Sequence, residues 1–183
     1  MGFDNQIPER LAEAAHEIYC AGLRARVETN AALVPYAELP EQLREQNRDN
    51  VRDISNKLAQ IGYRLQPMRG KQPSFDLPSR DLEKLAEMEH HRWVTAKIKD
   101  GWRYAPKTDH AKKRHNALLP WHKLTNTDHE QLFSPIELAV MGSDVLSEEE
   151  KEKDRDLVLG IPRILARAGY AIVKSTEDPP RND

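Results

Sequence analysis

The spacing of apolar positions along the chain predicts long helices joined by a few short strands. Leu11, Ala14, Ala15, Ile18 and Tyr19 recur three and four residues apart, the period of one helix face. Pro8 suits the first turn of that helix, because its missing N–H would have no partner there. A second run of this kind, LAEMEHHRW over residues 85–93, follows Ser79 and Asp81, both N-cap residue types. Tyr63-Arg64-Leu65 and Tyr170-Ala171-Ile172-Val173 are short alternating or apolar runs that read as strands. Gly62 and Gly169 stand just before them, where a helix ends in left-handed backbone that glycine adopts at little cost. Ser147-x-x-Glu150 is a capping box opening the last long helix, and Pro162 inside that helix predicts a kink or break near Gly160. Ser134 to Gly142 reads as a short capped helix with a glycine stop. The pattern predicts a mainly α fold with short β-strands (α+β).

The pattern also occurs twice. Residues 39–65, LPEQLREQNRDNVRDISNKLAQIGYRL, align without a gap on residues 146–172, LSEEEKEKDRDLVLGIPRILARAGYAI, and eleven of the 27 positions are identical. Chance at average residue usage gives roughly two. LAEAAHEIY at 11–19 likewise matches LAEMEHHRW at 85–93, and LVPYAEL at 33–39 matches LLPWHKL at 118–124. Two copies of one unit related by a pseudo-twofold are therefore expected. The boundaries fall at 7–66 for the first copy, 67–81 for a linker, 82–173 for the second copy and 174–183 for a disordered tail. The second copy gains a loop at 101–116 and a further segment before its last helix. Seams between packed units commonly bind small ligands.

Composition narrows the function. Of 183 residues, 38% are hydrophobic and 32% charged, with a net charge of −2. That balance gives no basic field, so no nucleic-acid partner is expected. No apolar run reaches the length of a membrane span and no secretory leader is evident, so no membrane partner is expected. Cys20 stands alone, which fits a reducing compartment and a cytoplasmic protein. No Walker loop, nucleophile elbow or G-x-G-x-x-G occurs, and the serines show no triad spacing. The expectation is no enzyme and no cofactor. Adjacent His90 and His91 point about 100° apart on a helix and cannot share one ion, so no metal is expected either. His16 and His90, at matched positions, read as buried, hydrogen-bonded structural histidines.

Two groups of residues look chemical. Trp93, Trp102, Trp121 and Tyr104 lie within 93–121, among Lys97, Arg103, Lys107, Lys112, Lys113, Arg114 and His115. Flat rings beside cations suit a nucleotide, offering a stacking face for the base and donors for the phosphates. The same rings also suit a core. Asn47-Arg48-Asp49 and Asp154-Arg155-Asp156 place an arginine beside carboxylates at matched positions. Either the fork, held by a carboxylate such as Asp156, meets a phosphate or base edge, or it ties its helix to a neighbour as an ion pair.

The second copy resembles the RyR domain, the repeat found in tandem in ryanodine receptor channels and in stand-alone bacterial proteins. The resemblance rests on L-A-E-x-x-H-x-x-W at 85–93, G-W-x-Y at 101–104, L-L-P-W-x-x-L at 118–124, L-S-x-x-E-K-x-K-D-R at 146–155 and A-x-x-G-Y-x-I at 166–172. The first copy looks like a degenerate repeat that lacks the G-W-x-Y loop. The resemblance implies a compact fold of helices with short strands, two RyR-like repeats related by a pseudo-twofold, and a non-enzymatic role. In the channels, the tandem repeats have been linked to adenine-nucleotide binding at their seam, where the opening-helix aromatics stack on the base. By position these are Tyr19 and Trp93. Bacterial relatives have been suggested as sensors of nucleotide-derived signals. The resemblance thus implies a regulatory module that binds a nucleotide or nucleotide-derived ligand at the repeat seam. Tyr19 and Trp93 would stack, Trp102 and Tyr104 would wall the pocket, and Arg48, Lys113, His115 and Arg155 would meet charge. The alternative is a protein-interaction or self-association module acting through the apolar segment 136–141.

Overall fold

The computed structural model describes residues 9–26, 33–68, 70, 75–122 and 133–175, apart from the side chains of Pro135 and Glu137. The expected helix start at Ile7-Pro8, His129, and all but the first two residues of the expected tail lie outside them. The fold is mostly helical with a few short strands, as the apolar spacing predicts. Two compact units divide the chain: residues 1–85 with 155–183, and residues 86–154.

In the first unit, helix α1 (Glu9–Ala25) packs on helix α2 (Glu41–Ala59), with a 3₁₀ turn at Tyr36–Glu38 between them in sequence. Leu11, Leu23, Val51, Ile54, Leu58, Ile164 and Leu165 are buried in this unit. Strands β1 (Tyr63–Pro67) and β4 (Tyr170–Lys174) form an antiparallel ladder whose central pair is Leu65↔Ile172. Two further bonds extend it: the Ser175 N–H donates to the Gly62 carbonyl at 2.8 Å, and the Met68 N–H donates to the Gly169 carbonyl at 2.7 Å. Gly62 (φ 78°) and Gly169 (φ 76°) take the left-handed conformation expected of these helix stops.

Helix α5 (Glu148–Arg167) runs without interruption through Gly160 and Pro162, so the expected break is absent. The packing of this stretch accounts for its continuity. Ile161, Ile164 and Leu165 are buried, and tertiary burial outweighs the single backbone bond that proline removes. Gly160 lies against α1, where an added Cβ would sit 2.7 Å from Ile18 Cγ2. The Ser147 hydroxyl caps α5 by accepting from the Glu150 N–H at 3.3 Å. Helix α3 (Ser79–Lys99) begins at Ser79 itself, and the Asp81 and Leu82 N–H groups donate to the Pro78 carbonyl. Neither Ser79 nor Asp81 is therefore the cap.

In the second unit, Val94, Trp102, Leu118, Leu119, Phe133 and Met141 form a core against which Trp93, Ile98, Tyr104 and Leu138 pack. The 101–116 loop is more ordered than a bare connection. Its strands β2 (Arg103–Tyr104) and β3 (Arg114–His115) pair in parallel, Arg103↔Arg114 and Tyr104↔His115. The Trp102 N–H donates to the Lys97 carbonyl at 2.9 Å and fixes the loop to the end of α3. Helix α4 (Pro135–Met141) and the start of α5 complete the unit. Among the described residues, no helix is long and apolar enough to cross a membrane.

Candidate site: an aromatic cluster around a buried lysine

His90, Trp93, Val94 and Lys97 follow one another at helical spacing, which puts them on one side of α3. His90 is 4% exposed and engaged at both ring nitrogens. Its Nε2 lies 2.8 Å from the Leu119 carbonyl, which only accepts, so Nε2 carries a proton. Its Nδ1 lies 3.3 Å from Asp154 Oδ2. Burial pushes the Asp154 carboxyl up, against the pull of the His90 hydrogen bond.

Trp93 is half-buried. The His90 ring stacks on it at 5.8 Å and 29°, and the His115 ring meets it edge-on at 5.1 Å and 77°. Trp102 is buried and donates its indole N–H to Asp100 Oδ2 at 2.9 Å. His110 and His115 meet the Trp102 ring edge-on at 5.6 and 6.0 Å.

Lys97 reaches into this cluster. Its Nζ sits 4.5 Å from the Trp102 ring centroid and 5.7 Å from that of Trp93, a cation over two indole faces. The residue is 8% exposed, and among the described residues it forms no ion pair. Burial pulls its pKa down, while the charge of Asp100 acts the other way. The neighbouring lysines differ in this respect. Lys113 Nζ donates to the Asp100 carbonyl at 2.7 Å and lies 3.3 Å from its carboxylate. Lys153 pairs with Glu150 at 2.8 Å.

His115 is neutral at pH 7. Burial is the first cause of its depressed pKa, followed by the charges of Lys97, His110, Lys153 and His90, and together they hold it at about 4. Its Nδ1 accepts the Ala117 N–H at 3.0 Å, so the proton of the neutral ring sits on Nε2. That N–H has no acceptor among the described residues. Tyr104 packs against the same core, with its phenol pKa raised by burial and by Asp144. Among the described residues, no three His, Cys, Asp or Glu side chains converge as metal ligands.

The structure thus gathers Trp93, Trp102, Tyr104, Lys113 and His115 in one unit. The other residues singled out from sequence, Tyr19, Arg48, Arg155 and Asp156, lie in the other unit. Arg48 holds three carboxylates: Glu9 at 2.7 Å, Glu41 at 2.6 Å and Glu45 at 2.7 Å. Arg155 forks onto both oxygens of Glu83, at 2.6 and 3.1 Å. Asp156 accepts from Arg26 at 2.6 Å. Both arginines therefore make the structural ion pairs that were one of their two sequence readings. Tyr19 is half-buried on α1.

Sequence reasoning placed Lys97 near the rings without singling it out, and passed over the pairing of Asp154 with His90. A signal for Lys97 was present. The 74-residue offset that aligns 11–19 with 85–93 sets Lys97 opposite Leu23, which is fully buried. A lysine at a core position is unusual unless something meets its charge. No curated protein matches the chain. Residues 79–141, from the start of α3 to the end of α4, match the family model of the RyR domain, and this segment of the chain is an RyR domain.

Proposed function

We propose that the chain is a non-enzymatic regulatory module whose RyR domain binds a nucleotide or nucleotide-derived anion on the cluster around Trp93, Trp102, Lys97 and His115. An RyR domain marks a regulatory or interaction module in general. One observation carries the finer reading: a largely buried lysine with no carboxylate within ion-pair distance among the described residues, beside a half-buried indole. An arriving anion would gain a charge-assisted bond in a low-dielectric setting, and an attached base would gain a ring to stack on. The His115 pKa of about 4 lies far below neutral pH, which makes its ring a weak general base and argues against a hydrolytic role for it. Calorimetry with mono-, di- and cyclic nucleotides tests the proposal. Heat of binding is expected from at least one class, and none at millimolar concentration would refute it.

The same reading takes the chain as two RyR-like repeats, the first degenerate. Bonds at matched positions support it. His16 Nε2 lies 2.8 Å from the Val34 carbonyl, as His90 Nε2 does from that of Leu119. Arg48 pairs with Glu9, and Arg155 with Glu83. Leu65 and Ile172, aligned in sequence, face each other at the centre of the β1–β4 ladder. A second functional reading, docking of a protein partner, draws on α4, where Ile136 is 78% and Val140 58% exposed. Ile136→Asp tests that reading; unchanged mass and partner capture would refute it. Leu138 is unsuitable for this purpose because it packs on the core.

A further inference from the structure

Two donors in the aromatic cluster lack acceptors among the described residues. One is the ammonium of Lys97, a residue nine-tenths buried whose Nζ lies over the Trp102 ring. The other is the Nε2–H of His115. Both side chains lie within about 6 Å of the same two indoles: Lys97 Nζ at 4.5 and 5.7 Å, and the His115 ring at 6.0 and 5.1 Å, from Trp102 and Trp93 respectively. The charges around them are otherwise matched. Asp100 is shared between Lys113 and the Trp102 indole, and Lys153 holds Glu150. His110 meets Trp102 edge-on, and His90 holds Leu119 and Asp154. Lys97 alone among these lysines has no carboxylate within ion-pair distance among the described residues, and the Asp100 charge acts on it only from farther off.

We propose that Lys97 and His115 form a subsite for a singly charged oxyanion, the phosphodiester of a cyclic or bridged nucleotide, with His115 donating from Nε2 as a neutral imidazole. This rests on the nucleotide reading above and adds a charge rule to it. One buried cation compensates one buried negative charge. A second or third negative charge on a monoester or polyphosphate would be desolvated without a partner, and burial of an unpaired charge is strongly disfavoured. The imidazole adds a directed hydrogen bond but no charge. Taking a proton at Nδ1 would break its bond with the Ala117 N–H.

The test is calorimetry on the full chain at pH 7.5 with 3′,5′-cyclic AMP, AMP, ATP, adenosine and dimethyl phosphate. Cyclic AMP is expected to bind more tightly than AMP or ATP. Lys97→Met is expected to weaken cyclic AMP about tenfold or more, the scale of a charge-assisted bond, and to leave adenosine unchanged. In parallel, imidazole nitrogen shifts of the unmodified protein, assigned with His115→Gln, should show a neutral Nε2–H ring before and after binding. Tighter binding of ATP than of cyclic AMP, an unaffected Lys97→Met, or a proton gained by His115 on binding would each overturn the subsite. If no nucleotide binds while dimethyl phosphate still shifts the His115 signal and loses that effect in Lys97→Met, the nucleotide reading fails and the subsite stands. If nucleotides bind without regard to Lys97, the subsite fails and the nucleotide reading stands.

Discussion

Lys97→Met also tests whether the buried ammonium is a strain on the unliganded fold. Met keeps the unbranched stem and much of the volume while removing the charge. Two terms then oppose each other. The cation lies 4.5 Å from the Trp102 centroid and 5.7 Å from that of Trp93, and such contacts contribute about 0.5–2 kcal/mol, which the variant loses. Against this, Lys97 is only 8% exposed and has no ion pair among the described residues. Replacing buried charged groups by apolar residues of similar volume commonly stabilises by about 1–4 kcal/mol. The second term is the larger, and the net expectation is a gain of about 1–2 kcal/mol, or roughly 2–8 °C in Tm for a chain of this size. All three tryptophans lie in the 86–154 unit, so their emission during urea unfolding reports on that unit. The pH dependence fixes the sign. Burial lowers the Lys97 pKa in the folded state, so between that lowered value and the unfolded value of about 10.4 the unfolded chain binds more protons. Wild-type stability should rise with pH across this window, Lys97→Met should lack that rise, and the two proteins should converge. A destabilised variant, or an equal gap at pH 7 and pH 10, would show that the fold already compensates the charge and has none to offer a ligand.

Three further outcomes follow from particular contacts. Asp154→Asn keeps a donor facing His90 but removes the ionisation; since burial raises the Asp154 pKa, the stability tied to its proton is whole below about pH 3.9 and lost as pH rises through the raised value. The difference in urea midpoint between pH 4 and pH 7 should therefore shrink in this variant, and an unchanged difference would contradict the argument. Arg48→Gln and Arg155→Gln should each cost about 1 kcal/mol or more, because Arg48 links three carboxylates and Arg155 forks onto Glu83, and should leave nucleotide affinity unchanged. Lost affinity in a folded variant would return these arginines to the binding site. Gly160→Ala gains about 1 kcal/mol of helix propensity but drives a Cβ to 2.7 Å from Ile18 Cγ2, an overpacking cost of about 1–3 kcal/mol. Unfolding of Gly160→Ala, Ile18→Ala and the double variant should show coupling, whereas additivity would rule out close approach of α5 to α1.

The fold was legible wherever one residue's physics is local. Gly62 and Gly169 announce their left-handed stops by type, and Ser147 announces its cap. It was not legible where tertiary contacts override the local signal. Pro162 argues for a broken helix until Ile161, Ile164 and Leu165 are seen to be buried around it. The β2–β3 pairing inside 101–116 has two residues a side, too short to leave a periodic trace. The site divides in the same way. Three tryptophans in 29 residues mark an aromatic cluster at once. Whether an arginine meets a ligand or a glutamate depends on which helix packs beside it, so Arg48 and Arg155 were ambiguous until Glu9 and Glu83 were placed. The charge of His115 depends on burial and on the Ala117 N–H, both of which exist only once the loop has folded.

The internal alignment separates scaffold from chemistry. At the 74-residue offset, Leu11 meets Leu85, Ala12 meets Ala86 and His16 meets His90, and all six are buried. These pairs keep their type because they pack. Leu23 and Lys97 share the same offset and are both buried, yet one is apolar and the other cationic. Stability alone favours leucine at such a position. The two rings beside Lys97 that lie in or next to the loop, Trp102 and His115, belong to 101–116, for which the first 66 residues have no counterpart. The charge, the imidazole N–H without an acceptor among the described residues and the loop that brings them together thus belong to one departure from an otherwise shared pattern. A packing role explains the loop and its tryptophan but gives no reason for the lysine, whereas the proposed anion would account for all three.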